Sequence, residues 1–479
     1  MKGLFDEMEG YKADDLRWQD GRTFAYVYDP GHEAMEVGRR ASSMYLTENG
    51  LDPTVFPSLL RLENEVLGMA IEHLRGGPEA VGSFTSGGTE SIMLAVKAAR
   101  DHARVHRPHI TAPEILLPVT AHAAFHKAAD YLGLKVILAP VDTATFKAQP
   151  QVMAQHISPN TIMMVGSAPS YPHGVIDPIE ALGQAALDAG VLLHVDACVG
   201  GWLLPFFKKL GAEVPDFDLS VPGVTSISMD LHKYAFTPKG ASVVLYNDPG
   251  LRHHQIFACA NWTGYTIINP TVQSTRSGGP LAAAWAVMRH IGPDGYLEFA
   301  RQIRQATARL AQGVEAIDGL YVMAPPQFCM FAFRSNTINI FHIIDEMKAR
   351  GWYIQPQLRL GDDYPENIHL SINPGNVAWV EPFLVDLREA TDVARTLPHS
   401  RLTGSLGAAL ADMTPETLDE ATFERLLEAV GVDGVALPER MAGINELLNA
   451  LPPALSEHVL TAFINKLYRP AGHTPDPSP

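Results

Sequence analysis

Apolar and polar positions fall into a regular alternation from about residue 58 onward. Helical spacing of apolar residues over 59–74 predicts a helix, 80–84 reads as a strand, and 89–105, apolar nearly all round, predicts a buried helix. Short apolar runs recur at 115–117, 136–138, 162–165 and 191–193, separated by helical stretches such as 123–131 and 179–189. Strand and helix in turn require right-handed crossovers, so the pattern predicts an α/β fold built on a mainly parallel sheet. Two further runs, 226–228 and 243–245, precede a helical stretch over 281–314 that opens a smaller α/β unit.

Four segments follow from this reading: an N-terminal arm over 1–57, a large domain over 58–300, a small C-terminal domain over 301–395, and a helical extension with a disordered tail over 396–479. The arm shows turn signals at Asp29-Pro30-Gly31 and Asn49-Gly50 and no strand pattern. In the extension, Thr414-Pro415 marks a helix start, and Phe423, Leu426, Leu427 and Val430 form an apolar stripe.

Composition narrows the class. With 46% hydrophobic and 19% charged residues in 479, the chain is long enough for a large core and lies in the globular range. A formal net charge of −17 argues against nonspecific binding to nucleic acid or an anionic membrane. No apolar run approaches the ~18 residues of a membrane span, and the N-terminus has no signal-peptide pattern. Cys198, Cys259 and Cys329 are too scattered for a disulfide framework or a CxxC metal site, which points to the cytoplasm.

The chemistry lies at strand ends. Thr85-Ser86-Gly87-Gly88-Thr89-Glu90 joins a strand to a helix, leaving backbone N–H groups and the positive helix end free to hold a phosphate. In His194-Val195-Asp196-Ala197 an apolar strand stops at an acid, where a carboxylate can keep a pyridine nitrogen protonated so that the ring accepts electrons. Ser228-Met229-Asp230-Leu231-His232-Lys233 ends another strand in a lysine able to form a Schiff base with an aldehyde. His122, just past a strand, is placed to stack on the ring, with His232 at the phosphate. Together these four elements point to pyridoxal 5′-phosphate and a small amine substrate. His122 and His126 also have the i, i+4 spacing of a metal pair, but no HExxH pattern or third ligand accompanies them, so no metal is expected.

The segments SFTSGGTESIMLAVKAAR, APSYPHGVIDP, LLHVDACVGGWLLPF and GVTSISMDLHKYAFTPKGASVVLY resemble the sphingosine-1-phosphate lyase family, within the group II pyridoxal-phosphate decarboxylase superfamily, over about Arg17 to Pro374. The resemblance implies fold type I and a homodimer with shared active sites. It implies that Gly87, Gly88, Thr89, His232 and the neighbour's Thr275 hold the cofactor phosphate. His122 would stack, Asp196 would meet the ring nitrogen, Lys233 would carry the cofactor, and Tyr171 would be catalytic. Tyr28, Asn49 and Lys239 match positions for the substrate phosphate. One position departs: where the family reads Asn-Pro-Leu-His-Pro, this chain has Asn49-Gly50-Leu51-Asp52-Pro53. A carboxylate beside a phosphate dianion is repulsive, so either the substrate lacks the phosphate or Asp52 points elsewhere.

Two activities follow: cleavage of the C2–C3 bond of a phosphorylated long-chain base, which the breadth of the motifs favours, or α-decarboxylation of an amino acid, which Asp52 favours. A noncatalytic scaffold would have no need of Lys233.

Overall fold

The computed structural model describes residues 2–397, 414, 417–418, 420–432, 436–468 and 470; Pro415, the Phe423 side chain and the 472–479 tail lie outside them. The chain opens with α1 (Lys2–Tyr11), α2 (His32–Met44) and α3 (Pro57–His73), so the stretch read as an arm is largely helical. The alternating part follows as β1 (Val81–Thr85), α4 (Gly88–His106), β2 (Glu114–Pro118), α5 (Ala124–Leu132), β3 (Lys135–Ala139), α6 (Pro150–Gln155), β4 (Thr161–Ser167) and α7 (Ile179–Ala189). It continues through β5 (Leu192–Asp196), α8 (Leu204–Lys209), β6 (Val224–Met229), β7 (Ser242–Tyr246), α9 (Pro249–His253), the hairpin β8 (Phe257–Cys259) and β9 (Ile267–Asn269), and α10 (Gly278–Glu315). The apolar runs found in the sequence fall inside these strands, except that Val191 precedes β5.

Seven strands form one sheet in the order β1-β7-β6-β5-β4-β2-β3. The pairs β2–β3, β2–β4, β4–β5 and β5–β6 are parallel, whereas β7 runs antiparallel to both β1 and β6. The reason is local: the chain returns from β6 to β7 without a crossover helix, and such a return can only reverse direction. Because β1 and β6 are both antiparallel to β7, every strand except β7 ends at the same edge of the sheet. Strand residues at the centre are buried on both faces, as a sheet covered by helices requires. His194, in the middle of β5, is held neutral by burial, with its pKa lowered to about 4, and its two ring nitrogens meet the hydroxyls of Ser226 and Ser228 on β6 at 2.8 and 3.1 Å.

After α10 come β10 (Tyr321–Val322), β11 (Met330–Arg334), α11 (Ile340–Ala349), β12 (Gln355–Gln357), β13 (Asn367–Ser371), α12 (Val380–Thr396), α13 (Glu420–Ala429), α14 (Ala442–Ala450) and α15 (Pro453–Leu467). A second sheet has the order β10-β11-β13-β12. The chain divides into two compact units, the first holding residues up to Glu315 with Val322–Ala332 and Leu370–Val380, the second Ala316–Tyr321, Phe333–His369 and the remainder from Glu381. Helix α10 crosses residue 300 and bends at Gly292 and Pro293, where Gly292 has φ 62°. In the second unit, both oxygens of buried Asp345 on α11 accept the Met441 and Ala442 N–H groups at 2.8 and 3.0 Å, pinning the start of α14. Leu426, Leu427 and Val430 of the expected stripe pack with Leu447, Leu455 and Val459.

Helix α7 approaches the loop before β6 so closely that a Cβ on Gly183 would lie 2.2 Å from the Pro222 carbonyl oxygen. Gly183→Ala should therefore destabilise the protein by about 1–3 kcal/mol, read as a lower denaturation midpoint with unchanged secondary structure by circular dichroism.

Candidate active site

The edge where β1, β2, β4, β5 and β6 end collects most of the predicted side chains, all within the first compact unit. Asp196 is the last residue of β5 and stands in register with Ser228 of β6. Its Oδ1 accepts the Cys198 N–H at 3.0 Å, and the side chain is 7% exposed. The Asp230 N–H donates to the Cys198 carbonyl at 3.2 Å, tying the turn after β6 to the end of β5.

That turn carries Asp230, His232 and Lys233. Lys233 Nζ lies 2.9 Å from Asp230 Oδ2, with the Asp230 side chain only 3% exposed. Burial opposes the charge on the amine, but the Asp230 carboxylate, with Cys198 and Tyr28, outweighs it and the Lys233 pKa is raised. Burial likewise opposes ionisation of Asp230, but Lys233 and His232 overcome it and the acid is held below its ordinary range. His232 is lowered to about 4, chiefly by burial. The Ala241 N–H donates to its Nδ1 at 3.1 Å, so the neutral ring carries its proton on Nε2, 3.7 Å from Asp230 Oδ2.

The glycine turn closes over this group. A Cβ on Gly87 would lie 3.4 Å from His232 Cε1, and one on Gly88 would lie 2.8 Å from both Asp230 oxygens and from Cys198 Sγ. Gly88 is thus required by space. Glu90 steadies the turn by accepting the Ser86 N–H and hydroxyl, both at 2.7 Å. Thr89 stands exposed in the first turn of α4.

Tyr28 and Lys239 line the mouth. Tyr28 meets Tyr234 edge-on at 4.9 Å, and Lys239 Nζ sits 4.8 Å above the Tyr28 ring while donating to the Tyr26 carbonyl at 3.1 Å. Burial raises the Tyr28 pKa, against the pull of Lys233; Tyr171 and Asp230 are also within its electrostatic reach. Lys239 is exposed along its side chain, yet desolvation of its ammonium and the charge of Lys233 lower its pKa to about 8. His122 is exposed, caps α5 by accepting the Ala124 N–H at 3.1 Å, and meets the Tyr171 ring edge-on at 6.5 Å.

Asn49, Asp52 and Thr275 are placed differently. The Asn49 carboxamide accepts the Leu51 N–H at 3.2 Å, and its backbone bridges to Ser277. Asp52 is exposed, accepts the Thr54 N–H and hydroxyl at 2.8 and 2.6 Å, and is held ionised by those bonds. Thr275 is exposed beside Arg276, whose guanidinium grips Glu63 at 2.9 and 3.2 Å and the Phe84 carbonyl at 3.0 Å. Asp52 and Arg276 border a cleft of about 1180 Å³ whose lining includes Thr85 and Ser86 but none of Lys233, Asp196 or Tyr28.

Sequence reasoning passed over Asp230 and Cys198. The available signal for Asp230 was an acid three residues before the lysine in one strand-end turn; the Cys198 thiol, buried and pushed well up by burial, Asp196 and Asp230, had none.

The pyridoxal-dependent decarboxylase conserved domain matches residues 18–336, and the C-terminal HTH domain of pyridoxal-dependent enzymes matches 404–466. Sphingosine-1-phosphate lyase of Arabidopsis thaliana is 42% identical over 418 residues, spanning 85% of this chain and 75% of its own. Sphingosine-1-phosphate lyase 1 of Rattus norvegicus is 37% identical over 423 residues, 87% of this chain and 72% of its own. The chain belongs to the sphingosine-1-phosphate lyase family. Among solved structures, the Burkholderia pseudomallei sphingosine-1-phosphate lyase superposes with a TM-score of 0.78 at 36% identity, covering 86% of this chain and 94% of that one. Lactobacillus brevis glutamate decarboxylase, at 17% identity and TM-score 0.74 over 83% of this chain and 94% of its own, shares the fold. This member of the lyase family is accordingly a fold type I enzyme that uses pyridoxal 5′-phosphate. Its residues fit that group: a half-buried lysine, a buried acid on the neighbouring strand end, a glycine cradle, and an Asp230 Oδ1 buried without a hydrogen-bond partner.

Gly88→Ala, by driving a methyl group into Asp230 and Cys198, should weaken cofactor retention by at least about tenfold, or ~1.4 kcal/mol. The check is cofactor content after dialysis, measured by visible absorbance, in protein of normal secondary structure.

Proposed function

We propose that this enzyme cleaves the C2–C3 bond of a phosphorylated long-chain base, giving a long-chain aldehyde and phosphoethanolamine, with Lys233 as the cofactor-bearing residue. The observation that carries this reading is Lys239 beside Tyr28, a cation and a hydroxyl at the mouth of the lysine site, together with family membership. When bound, pyridoxal phosphate supplies an electron sink next to the substrate amine.

The side chains divide the remaining work. Gly87, Gly88 and Thr89, at the N-terminus of α4, offer N–H groups to the cofactor phosphate, with His232 Nε2–H beside them. Asp196 presents an anion to the ring nitrogen and keeps it protonated. His122 covers the ring face. Tyr171, 6.5 Å from the His122 ring and within electrostatic reach of Tyr28, would relay the proton lost by the C3 hydroxyl as the aldehyde carbonyl forms, and C2 would take up a proton in its place. Tyr28 and Lys239 hold the substrate phosphate.

We further assign Asn49, Asp52 and Thr275 to the site of a second subunit in a homodimer, because in their own chain half-buried Asn49 and exposed Asp52 and Thr275 lie apart from Lys233 in segments joined through Arg276. The three free cysteines support a cytoplasmic address. No helix among the described residues is long and apolar enough to cross a membrane. Asp52 remains the specific observation that favours the alternative, decarboxylation of an amino acid.

Incubation with sphingosine 1-phosphate should release aldehyde and phosphoethanolamine, and Lys233→Ala should abolish release; CO₂ from amino acids with no aldehyde from the phosphorylated base would overturn the assignment. A second expectation concerns pH. Lys239 is a cation below about pH 8 and neutral above it, so kcat/KM for the phosphorylated substrate should fall by about tenfold as pH rises through that value. Lys239→Arg, charged throughout, should remove that alkaline limb, as read from initial-rate pH profiles.

A further inference from the structure

We propose that Asp230 is the proton-holding partner of Lys233: it takes the proton Nζ must lose before attacking a carbonyl and returns it when water leaves. This rests on the reading of Lys233 as the cofactor lysine and adds a residue to it.

The geometry is specific. The turn after β6 places Asp230 and Lys233 three residues apart with Nζ and Oδ2 at 2.9 Å, and the carboxylate is 3% exposed, so solvent does not compete for the proton. Its other oxygen, Oδ1, is buried and has no hydrogen-bond partner. Gly88 leaves the space the carboxylate occupies, since any side chain there would come within 2.8 Å of it. The groups facing the pair from each neighbouring element are His232 and Lys239 on the return to β7, Cys198 and Asp196 at the end of β5, and Tyr28 from the N-terminal segment. Asp230 is set apart by its contact with Nζ at 2.9 Å: His232 has its Nδ1 occupied by the Ala241 N–H and its protonated Nε2 toward Asp230, the Cys198 thiol is held protonated by burial, and Asp196 accepts the Cys198 N–H.

Proton bookkeeping closes on this pair. Nζ begins as an ammonium with three hydrogens. It gives one to Asp230 Oδ2, forms a bond to the carbonyl carbon, and passes a second hydrogen to the carbonyl oxygen. Asp230 then returns its proton to that oxygen, the C–O bond breaks, and water departs with both hydrogens. Nitrogen keeps the third, now doubly bonded and protonated, and no proton is exchanged with solvent.

The test uses the full chain freed of cofactor and supplied with pyridoxal 5′-phosphate, with attachment trapped by borohydride and located by peptide mapping. In the wild type, the rate of attachment at Lys233 should be nearly independent of pH between about 6 and 9, because the proton stays within the pair. In Asp230→Asn that independence should be lost, the rate rising by about tenfold per pH unit at the acidic end, because Nζ must then give its proton to solvent. Added formate should restore part of that independence. Identical profiles in the two proteins would overturn the proposal. If the variant does not fold, the wild type alone decides: a rate climbing tenfold per pH unit means that Nζ gives its proton to solvent and Asp230 does not carry it. Trapping at a lysine other than Lys233 would instead refute the cofactor-lysine reading, a result separable from either of these.

Discussion

The parallel pairing of β5 with β6 is the constraint on which the site depends. Parallel neighbours end at one sheet edge, so the register of Asp196 with Ser228 brings an acid and the turn bearing Lys233 together although they are remote in sequence. The backbone bond from Asp230 to Cys198 fastens that turn to the end of β5, and the Ala241 N–H on His232 fastens it to the start of β7. Positions of ionisable groups are therefore set by a turn bonded to two strand ends, which is the condition for holding charges inside a protein at useful distances.

Two lysines in this region show how far environment governs a side chain. Lys233 has a buried carboxylate at 2.9 Å and its pKa rises; Lys239 has a carbonyl and an aromatic face, and its pKa falls to about 8. The ordinary lysine value separates the two. One chain can thus present a charge that persists at every physiological pH next to one that is lost on mild alkalinisation, using the same residue type and differing only in the available counterion.

Local pattern made much of this readable. Apolar runs marked the strands, and because chemistry in open α/β sheets gathers at strand ends, Asp196, Lys233 and the Gly87-Gly88 turn stood out as a set, none of them telling alone. Periodicity reports that a strand exists but not its direction, so the reversal of β7 was not visible. Asp230 lay inside a quoted motif yet read as an ordinary turn acid, because its partnership with Lys233 depends on the fold of that turn. The positions of Asn49, Asp52 and Thr275 were not readable for another reason: each satisfies its neighbours through bonds that no spacing rule announces, such as the Asp52 carboxylate capping Thr54. The resemblance supplied the roles of Tyr28 and Lys239, and the structure supplied their adjacency.

The short return between β6 and β7 has a corollary for sequence change. It bears both Lys233, the residue proposed to carry the cofactor, and Lys239 at the mouth, and its two ends are locked into antiparallel strands. An insertion there would displace both lysines at once. Tyr28, by contrast, comes from the N-terminal segment, so a replacement there would alter the mouth while leaving the turn that holds Lys233 in place.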